Sequence, residues 1–331
     1  MDNWTDYPNA DPLPWLLEDQ NPSVRYWTLK NIIEVPERDP ALLQTRERIV
    51  QSPPIRTILK QQHPDGYWGS LDSFYRPKYR ATYHQLLILS ALGTPRVNSV
   101  EKAVELMFEH YQYESGHFSM NQIKTQRGKK SKLQDGICLA GNMVGVLIHF
   151  GYLHDERTQR AINFICQTHE HGWSCRAYPI DKQKVSPLHC YMGGIKPLQA
   201  LSMIPESERT QLIRDVITEE IEIYLENEIF LYLKDENGKK KEKPGWKRFG
   251  FPLFYQSDAL EVCDILTRLG VRDWRMKKAL DLILEKQTVE GKWNLEHTFN
   301  GKMWTDIEEK GNPSKWITLK AVRVLKRFYE R

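Results

Sequence analysis

The sequence predicts an all-α fold built from a helical hairpin that recurs along the chain. A glycine followed closely by an aromatic residue appears four times, and apolar helices that end at glycine or proline stand between these places. The helices end at Gly93, Gly151, Pro205 and Gly270, which gives a repeat of about 55 residues. Few stretches alternate apolar and polar residues as strands do. About six such hairpins fit within the 331 residues.

The residues of the repeated phrase follow the same order at each of its four occurrences. The glycine and aromatic residues are Gly66 with Trp68, Gly116 with Phe118, Gly172 with Trp173, and Gly291 with Trp293, and a glutamine precedes each glycine (Gln62, Gln112, Gln167 and Gln287). Glycine suits a turn that ends a helix, and the aromatic residue can then pack back over that helix end. The final segment "NPSKWITLKAVRVLKRF" opens with a capping Asn-Pro and places apolar residues on one face.

Composition narrows the classes of function. The chain is 40% hydrophobic and 27% charged with a net charge of +4, which suits a soluble protein and is too mild to indicate nucleic-acid binding. No apolar run is long enough to cross a bilayer. The start lacks a basic, apolar signal segment, and the five cysteines are odd in number, so we expect a protein of the reducing cytoplasm. The oligomeric state is left open.

Three features carry a resemblance to a known superfamily. The Gln…Gly-x-Trp phrases, "YRPKYRATYHQLLILSALG" and "GNPSKWITLKAVRVLKRF" resemble the terpenoid cyclases and protein prenyltransferases, above all the short single-toroid bacterial proteins labelled prenyltransferase or squalene-cyclase-like. The resemblance covers roughly residues 50–328 and implies an (α/α)6 toroid, a ring of helical hairpins around a central cavity. We expect one domain over residues 1–331, with residues 1–50 as a helical lead-in and residues 232–250 as a charged loop or a lid.

The resemblance implies an enzyme that acts on an isoprenoid-like or other apolar, lipid-like small molecule in that cavity. The chain has neither the D-x-D-D motif of acid-initiated cyclases nor a D-D-x-x-D motif for magnesium. Asp258 remains a candidate general acid, and its alternative role is to cap the helix that ends at Gly270. His84 is the second catalytic candidate, in a segment where Arg76 either binds an anionic group or forms surface salt bridges.

The segment "KKSKLQDGIC" suggests a metal site. It resembles the zinc-binding start of an inner helix in protein prenyltransferase β-subunits, which implies Asp135 and Cys138 as ligands, with His189 of "SPLHCYMGG" completing the site. Lys129 and Lys132 would then face a diphosphate. The match departs from the family, because one extra residue separates Asp135 from Cys138 and His189 stands directly beside a cysteine. Asp135 is also a simple candidate for a helix cap.

Helical periodicity adds independent support for Cys138. At 100° per residue, Asn142, Gly145 and His149 lie within about 40° of Cys138, apart from the bulky residues. This small polar face is a candidate wall of the cavity. "GWSC" and "HCYMGG" loosely resemble the zinc segments of lanthionine cyclases, so the predicted zinc ligands are Cys138, Cys175 and Cys190, with Asp135 and His189 as further candidates. The alternative is separate buried thiols, the role also predicted for Cys166 and Cys263.

Three functions therefore remain open. The leading one is a zinc-dependent enzyme of the prenyltransferase or terpene-cyclase type. The others are a non-catalytic toroid that binds a lipid or peptide, with structural cysteines or a structural metal, and an atypical acid-initiated cyclase. The predicted substrate-binding residues are Lys129, Lys132, Arg76, Trp173, Trp246, Arg248 and Tyr255.

Overall fold

The computed structural model describes residues 4–123, 136–174, 190–233 and 240–330. Within these ranges the chain forms thirteen α-helices and one short antiparallel hairpin, which confirms the all-α prediction. The helices are α1 (Leu13–Leu16), α2 (Pro22–Thr28), α3 (Pro40–Ile49), α4 (Pro53–Lys60), α5 (Thr82–Ala91), α6 (Asn98–Tyr111), α7 (Ile137–His149), α8 (Glu156–Gln167), α9 (Tyr191–Ser202), α10 (Gln211–Glu226), α11 (Ala259–Arg268), α12 (Lys277–Glu285) and α13 (Lys315–Tyr329). The strands are β1 (Leu231–Leu233) and β2 (Lys240–Glu242).

Helix boundaries follow the expected local chemistry. Asp155 caps α8 by accepting a hydrogen bond from the backbone N–H of Arg157 at 2.8 Å, and Ser314 caps α13 in the same way. Gly93, Gly151 and Gly270 follow α5, α7 and α11 with φ of 75°, 80° and 80°. This left-handed backbone favours glycine, so the three predicted glycine stops are confirmed.

Alternate helices pack against one another in a continuous series. α5 contacts α7, α7 contacts α9, α9 contacts α11, α11 contacts α13, and α13 contacts α2. At the remaining junction, a Cβ placed on Gly93 after α5 would lie 2.9 Å from the indole Nε1 of Trp27 on α2. We call α2, α5, α7, α9, α11 and α13 the inner helices. The helices between them in sequence pack against them, as α8 does on α7 and α12 on α11.

The tryptophans of the repeated phrase hold the turns in place. Each indole donates a hydrogen bond to a carbonyl in the helix before the turn, and the pairs are Trp68 with Ile58 (2.8 Å), Trp173 with Ile165 (2.9 Å) and Trp293 with Ile283 (2.6 Å). All three tryptophans are buried. The aromatic residue therefore packs back over the end of the preceding helix, as the sequence predicts.

The glutamines of the same phrase join neighbouring hairpins. Gln62 donates to the carbonyl of Ser99 in α6 at 2.7 Å, and Gln112 donates to that of Arg157 in α8 at 2.8 Å. Gln287 makes the corresponding bond to the carbonyl of Tyr7, 280 residues earlier, at 3.1 Å. The N-terminal segment thus occupies the place that the start of the next outer helix takes elsewhere.

The described part of the segment predicted as a charged loop or lid contains regular structure. β1 pairs with β2, and a 3-10 turn follows over Pro244–Lys247. Trp246 in this turn is buried against Tyr191 and Tyr224, which anchors the segment to α9 and α10. In the part of the chain that the structure describes, no helix has the length and apolar character needed to cross a bilayer.

Candidate functional site

A cavity of about 400 Å³ lies between the inner helices, and all six of them contribute to its wall. The loop before α11 adds Phe251 and Leu253. Trp27 and Asn31, from α2 and the turn that follows it, also line the cavity. Residues 1–50, predicted as a lead-in, therefore supply one side of the central wall.

Three residues of the predicted small polar face of α7 lie in this wall, whereas Cys138 is not part of the wall as far as it is described. Asn142, Gly145 and His149 all line the cavity. Asn142 donates hydrogen bonds to the hydroxyl of Tyr83 at 2.6 Å and to the carbonyl of Phe254 at 3.0 Å. His149 donates from Nε2 to a backbone carbonyl of the loop after α5 at 3.0 Å, and burial lowers its pKa to about 4. His149 is therefore neutral at physiological pH.

Two buried carboxylates form ion pairs between neighbouring inner helices. Lys196 on α9 lies 2.7 Å from both carboxylate oxygens of Glu261 on α11, and both side chains are buried. Asp264 on α11 pairs with Arg323 and Arg327 on α13. Burial alone would raise the pKa of Asp264, but the guanidinium groups outweigh it and hold that pKa well below its usual range. Both carboxylates are thus paired, and the low pKa of Asp264 keeps its carboxylate ionised.

Two further cations line the cavity without an ion pair among the described residues. The Lys320 ammonium lies 5.6 Å from the ring centroid of Phe251, and Arg268 ends α11. Burial lowers the pKa of Arg268, although nearby Asp264 favours its charged form. The described wall therefore carries four cationic side chains, Lys196, Arg268, Lys320 and Arg323, against the two carboxylates of Glu261 and Asp264.

Asp258 occupies the capping position that the sequence analysis weighed against a catalytic role. Its two carboxylate oxygens accept hydrogen bonds from the backbone N–H groups of Glu261 and Gly250, each at 2.8 Å. Burial raises its pKa to about 6. The described part of the cavity wall does not include Asp258. Both carboxylate oxygens of Asp258 already accept backbone hydrogen bonds, so neither is placed to pass a proton to a ligand in the cavity.

His84 lies in an aromatic cluster next to the cavity wall. The rings of Tyr75, Tyr79, Tyr83 and Phe254 surround it with centroid distances of 4.7, 5.4, 4.9 and 5.1 Å. Burial lowers its pKa to about 3, and neither ring nitrogen has a hydrogen-bond partner among the described residues. The cluster connects to the cavity through Tyr83, which accepts the hydrogen bond from Asn142.

Part of the predicted zinc site can be placed. Cys138 lies in the first turn of α7, and Cys190 caps α9, its Sγ accepting a hydrogen bond from the backbone N–H of Gly193 at 3.3 Å. A Cβ on Gly193 would lie 2.9 Å from that sulfur and 3.4 Å from the side chain of Ile137, so the two helix starts converge. Asp135, Cys175 and His189 lie outside the described residues, as do Lys129 and Lys132.

No cluster of three or more His, Cys, Asp or Glu side chains suited to a metal occurs within residues 4–123, 136–174, 190–233 and 240–330. The two described members, Cys138 and Cys190, are each partly exposed. Cys166 and Cys263 are buried, as predicted for core cysteines.

The remaining substrate-binding candidates lie apart from the cavity wall as far as it is described. Trp173 and Trp246 are buried in the packing contacts given above. Arg76 and Arg248 are exposed. Tyr255 is half-buried and accepts a hydrogen bond from Lys78 at 3.2 Å.

Sequence reasoning missed the charged wall. Lys196, Glu261, Lys320, Arg268 and Arg323 were not singled out, although a signal was present. On α11 the charged positions 261, 264 and 268 recur at helical spacing, and on α13 positions 320 and 323 follow Trp316 on the same face. When a helix is otherwise apolar and lies beside a cavity, charged residues along one of its faces indicate that this face lines the cavity.

Comparison with known proteins gives a limited result. No protein-family model and no curated protein matches the sequence. Among solved structures, the type II terpene cyclase MstE from Scytonema is 12% identical with a TM-score of 0.43, over 93% of this chain and 87% of that one. A variant of MstE bound to geranylgeranyl dihydroxybenzoate is 14% identical with a TM-score of 0.43, over 94% and 87%. A protein from Actinoplanes is 11% identical with a TM-score of 0.41, over 93% and 89%. Similarity at this level establishes no activity for the chain.

Proposed function

We propose that the chain is an (α/α)6 toroid and an enzyme that acts on a partly apolar, isoprenoid-like small molecule in the central cavity. The observation that carries this proposal is the cavity itself, because every inner helix contributes to its wall. Its volume of about 400 Å³ is in the range of sites for small organic ligands.

The contacts between the two ends of the chain support a closed ring. Gln287 bonds to Tyr7, and the ring of Tyr7 stacks on that of Tyr329 with 3.7 Å between centroids. A Cβ on Gly291 would lie 2.0 Å from the carbonyl oxygen of Ala10, so the last turn packs directly on the N-terminal segment. An open solenoid would instead present a polar cap at each end.

The wall combines apolar surface with groups that can move protons. Trp27, Phe251 and Trp316 offer aromatic surface for an apolar substrate. The buried pair of Lys196 and Glu261 offers one proton donor and one proton acceptor within hydrogen-bond reach of each other. Burying two charges is expensive, and apolar residues at the same positions would often be at least as stable. We therefore assign general acid–base chemistry to this pair.

The proposal is tested by blocking the cavity at Gly145. A Cβ there would meet its nearest atom, the sulfur of Met203, at 3.7 Å, so Gly145→Ala fits without rearrangement. Gly145→Phe would extend a ring into the cavity. We expect Gly145→Ala to bind an apolar probe such as octanol as the wild type does, and Gly145→Phe to lose binding while its circular dichroism spectrum is unchanged. Equal binding by both variants would place the ligand elsewhere.

A zinc site beside the cavity is a second proposal, and the convergence of Cys138 and Cys190 at two helix starts favours it. With Cys175 and His189, both outside the described residues, these thiols would provide a tetrahedral ligand set of the kind zinc takes. Bound zinc would lower the pKa of a coordinated thiol and favour the thiolate. The residues that the structure describes supply two of these ligands and leave the set incomplete.

Metal analysis tests the zinc proposal. Protein purified without a metal-affinity tag should contain about one equivalent of zinc per chain, as expected for one site. Cys138→Ala and Cys190→Ala should each lose it, whereas Cys263→Ala, at a buried core position, should keep it. Wild-type protein without metal, or retention of zinc by both ligand variants, would contradict the assignment.

A further inference from the structure

We propose that the ligand of the central cavity carries an oxyanion, a carboxylate or a phosphate, which pairs with Lys320 or with Arg268. This inference rests on the proposed function, since it concerns the chemistry of the molecule that the cavity accepts. The proposed ligand is amphiphilic, with an apolar part and an anionic group, and is not purely apolar.

The pairing pattern of the wall carries the inference. Lys196 is neutralised by Glu261 at 2.7 Å, and Asp264 takes two guanidinium groups, those of Arg323 and Arg327. No carboxylate among the described residues forms an ion pair with Lys320 or Arg268. The excess charge of the described wall is therefore positive, and it sits on side chains that face the cavity.

The surroundings of Lys320 are only partly suited to a charged group. The face of Phe251 gives the Lys320 ammonium a cation–π contact but no negatively charged group. Asp258 lies within electrostatic reach of Lys320, but its two oxygens are occupied by backbone N–H groups. Lys320 is half-buried, and the described residues give its ammonium no hydrogen-bonded anionic partner, which leaves a partly desolvated charge uncompensated. An oxyanion from the ligand would supply that partner.

A second donor stands beside Lys320. Trp316 precedes it by one turn on the same face of α13 and lines the cavity. Its indole Nε1 is buried and has no acceptor among the described residues. Phe251 stacks on this indole with 4.4 Å between centroids and 8° between planes, which fixes the ring. An oxyanion at this corner would satisfy both the ammonium and the indole N–H.

The opposite side of the cavity suits the other end of such a ligand. α5 lies three places from α11 in the series of inner helices, and it contributes Leu87 and Ala91 to the wall. Trp27 of α2 lies beside it and contacts the end of α5. A molecule with its anionic group between α11 and α13 would therefore extend its apolar part across the cavity towards α5.

A series of three probes with one alkyl chain tests the inference: octanol, octanoate and octyl phosphate, each below its micelle concentration and measured by isothermal titration calorimetry. We expect the wild type to bind at least one anion roughly tenfold or more tightly than octanol, as a charge-assisted hydrogen bond predicts. Either Lys320→Gln or Arg268→Gln should reduce that preference roughly tenfold and leave the affinity for octanol unchanged, and the variant that does so identifies the cation that pairs with the anion. Preference for octanoate alone or octyl phosphate alone would support the inference and identify the anion.

Two controls separate loss of charge from loss of structure. Lys277→Gln removes one positive charge from the exposed surface of α12 and should leave the affinities for all three probes unchanged. Lys320→Arg keeps the charge and should keep the preference. Equal affinity of all three probes in the wild type, or an unchanged preference in both glutamine variants, would overturn the anion subsite. The proposed function fails separately, if no probe binds or if Gly145→Phe binds every probe as well as the wild type does.

Discussion

Two glycines one turn apart on α7 are expected to respond in opposite ways to alanine. A Cβ on Gly141 would lie 2.3 Å from the backbone nitrogen of Pro197 and 2.5 Å from the carbonyl carbon of Lys196, both in α9. A Cβ on Gly145 would meet nothing closer than 3.7 Å. The same substitution therefore tests whether the two inner helices touch through their backbones.

The magnitudes follow from these distances. Backbone atoms of a helix cannot rotate away, so Gly141→Ala must push α9 back by about 1 Å to reach ordinary contact distances. Overpacking of this kind costs about 1–3 kcal/mol, with the larger end expected for a contact with backbone. Replacing glycine in a helix returns about 1 kcal/mol at either site. We expect Gly141→Ala to lower the free energy of unfolding by about 2 kcal/mol and Gly145→Ala to raise it by up to about 1 kcal/mol.

Urea unfolding followed by far-ultraviolet circular dichroism measures both variants against the wild type. Displacement of α9 also moves Lys196, so Gly141→Ala should weaken binding of the probes in the cavity while Gly145→Ala should not. Equal unfolding midpoints for the two variants would refute the close approach of α7 and α9. A stabilised Gly141→Ala protein would refute it more strongly.

Four further predictions concern polar groups that are buried or half-buried. His84→Phe should raise the free energy of unfolding by about 1–3 kcal/mol, because two buried nitrogens without partners are removed. The pKa values of His84 (about 3) and His149 (about 4) in the folded chain lie below the ordinary 6.5, so the unfolded state binds more protons between these values, and thermal stability should fall as pH decreases from about 6.5 to 4. His84→Phe should make that fall less steep, and an unchanged slope would contradict the assignment. Lys196→Met should destabilise the protein by about 3–5 kcal/mol, and adding Glu261→Leu should restore most of the loss in chemical denaturation, whereas additive losses would argue against the pair. Gln287→Ala should speed proteolysis of the N-terminal segment, which an unaffected cleavage rate would refute.

The repeated phrase made much of the fold predictable because its chemistry is local. Glycine ends a helix, and the indole of the tryptophan that follows donates a hydrogen bond to a carbonyl in that same helix, as Trp68 does to Ile58. The polar face of α7 was predictable for the same reason, since helical periodicity alone groups Asn142 with Gly145. The role of the glutamines was not, because their acceptors lie in the next hairpin.

The charged wall depends on distant pairings that periodicity does not reveal. Lys196 and Glu261 are 65 residues apart in the chain, and Arg323 and Asp264 are 59 apart. The same holds for α2, whose contribution to the wall depends on contacts with the far end of the chain. The zinc ligands Cys175 and His189 remain a prediction, because they lie outside the described residues.

A crystal structure of the protein with octyl phosphate or octanoate bound tests the central claim most directly. The account predicts electron density for one ligand between the six inner helices, with the oxyanion in hydrogen-bond contact with Lys320 or Arg268 and the alkyl chain towards α5. Inner helices that fail to enclose a cavity, or a ligand bound only on the outer surface, would contradict it.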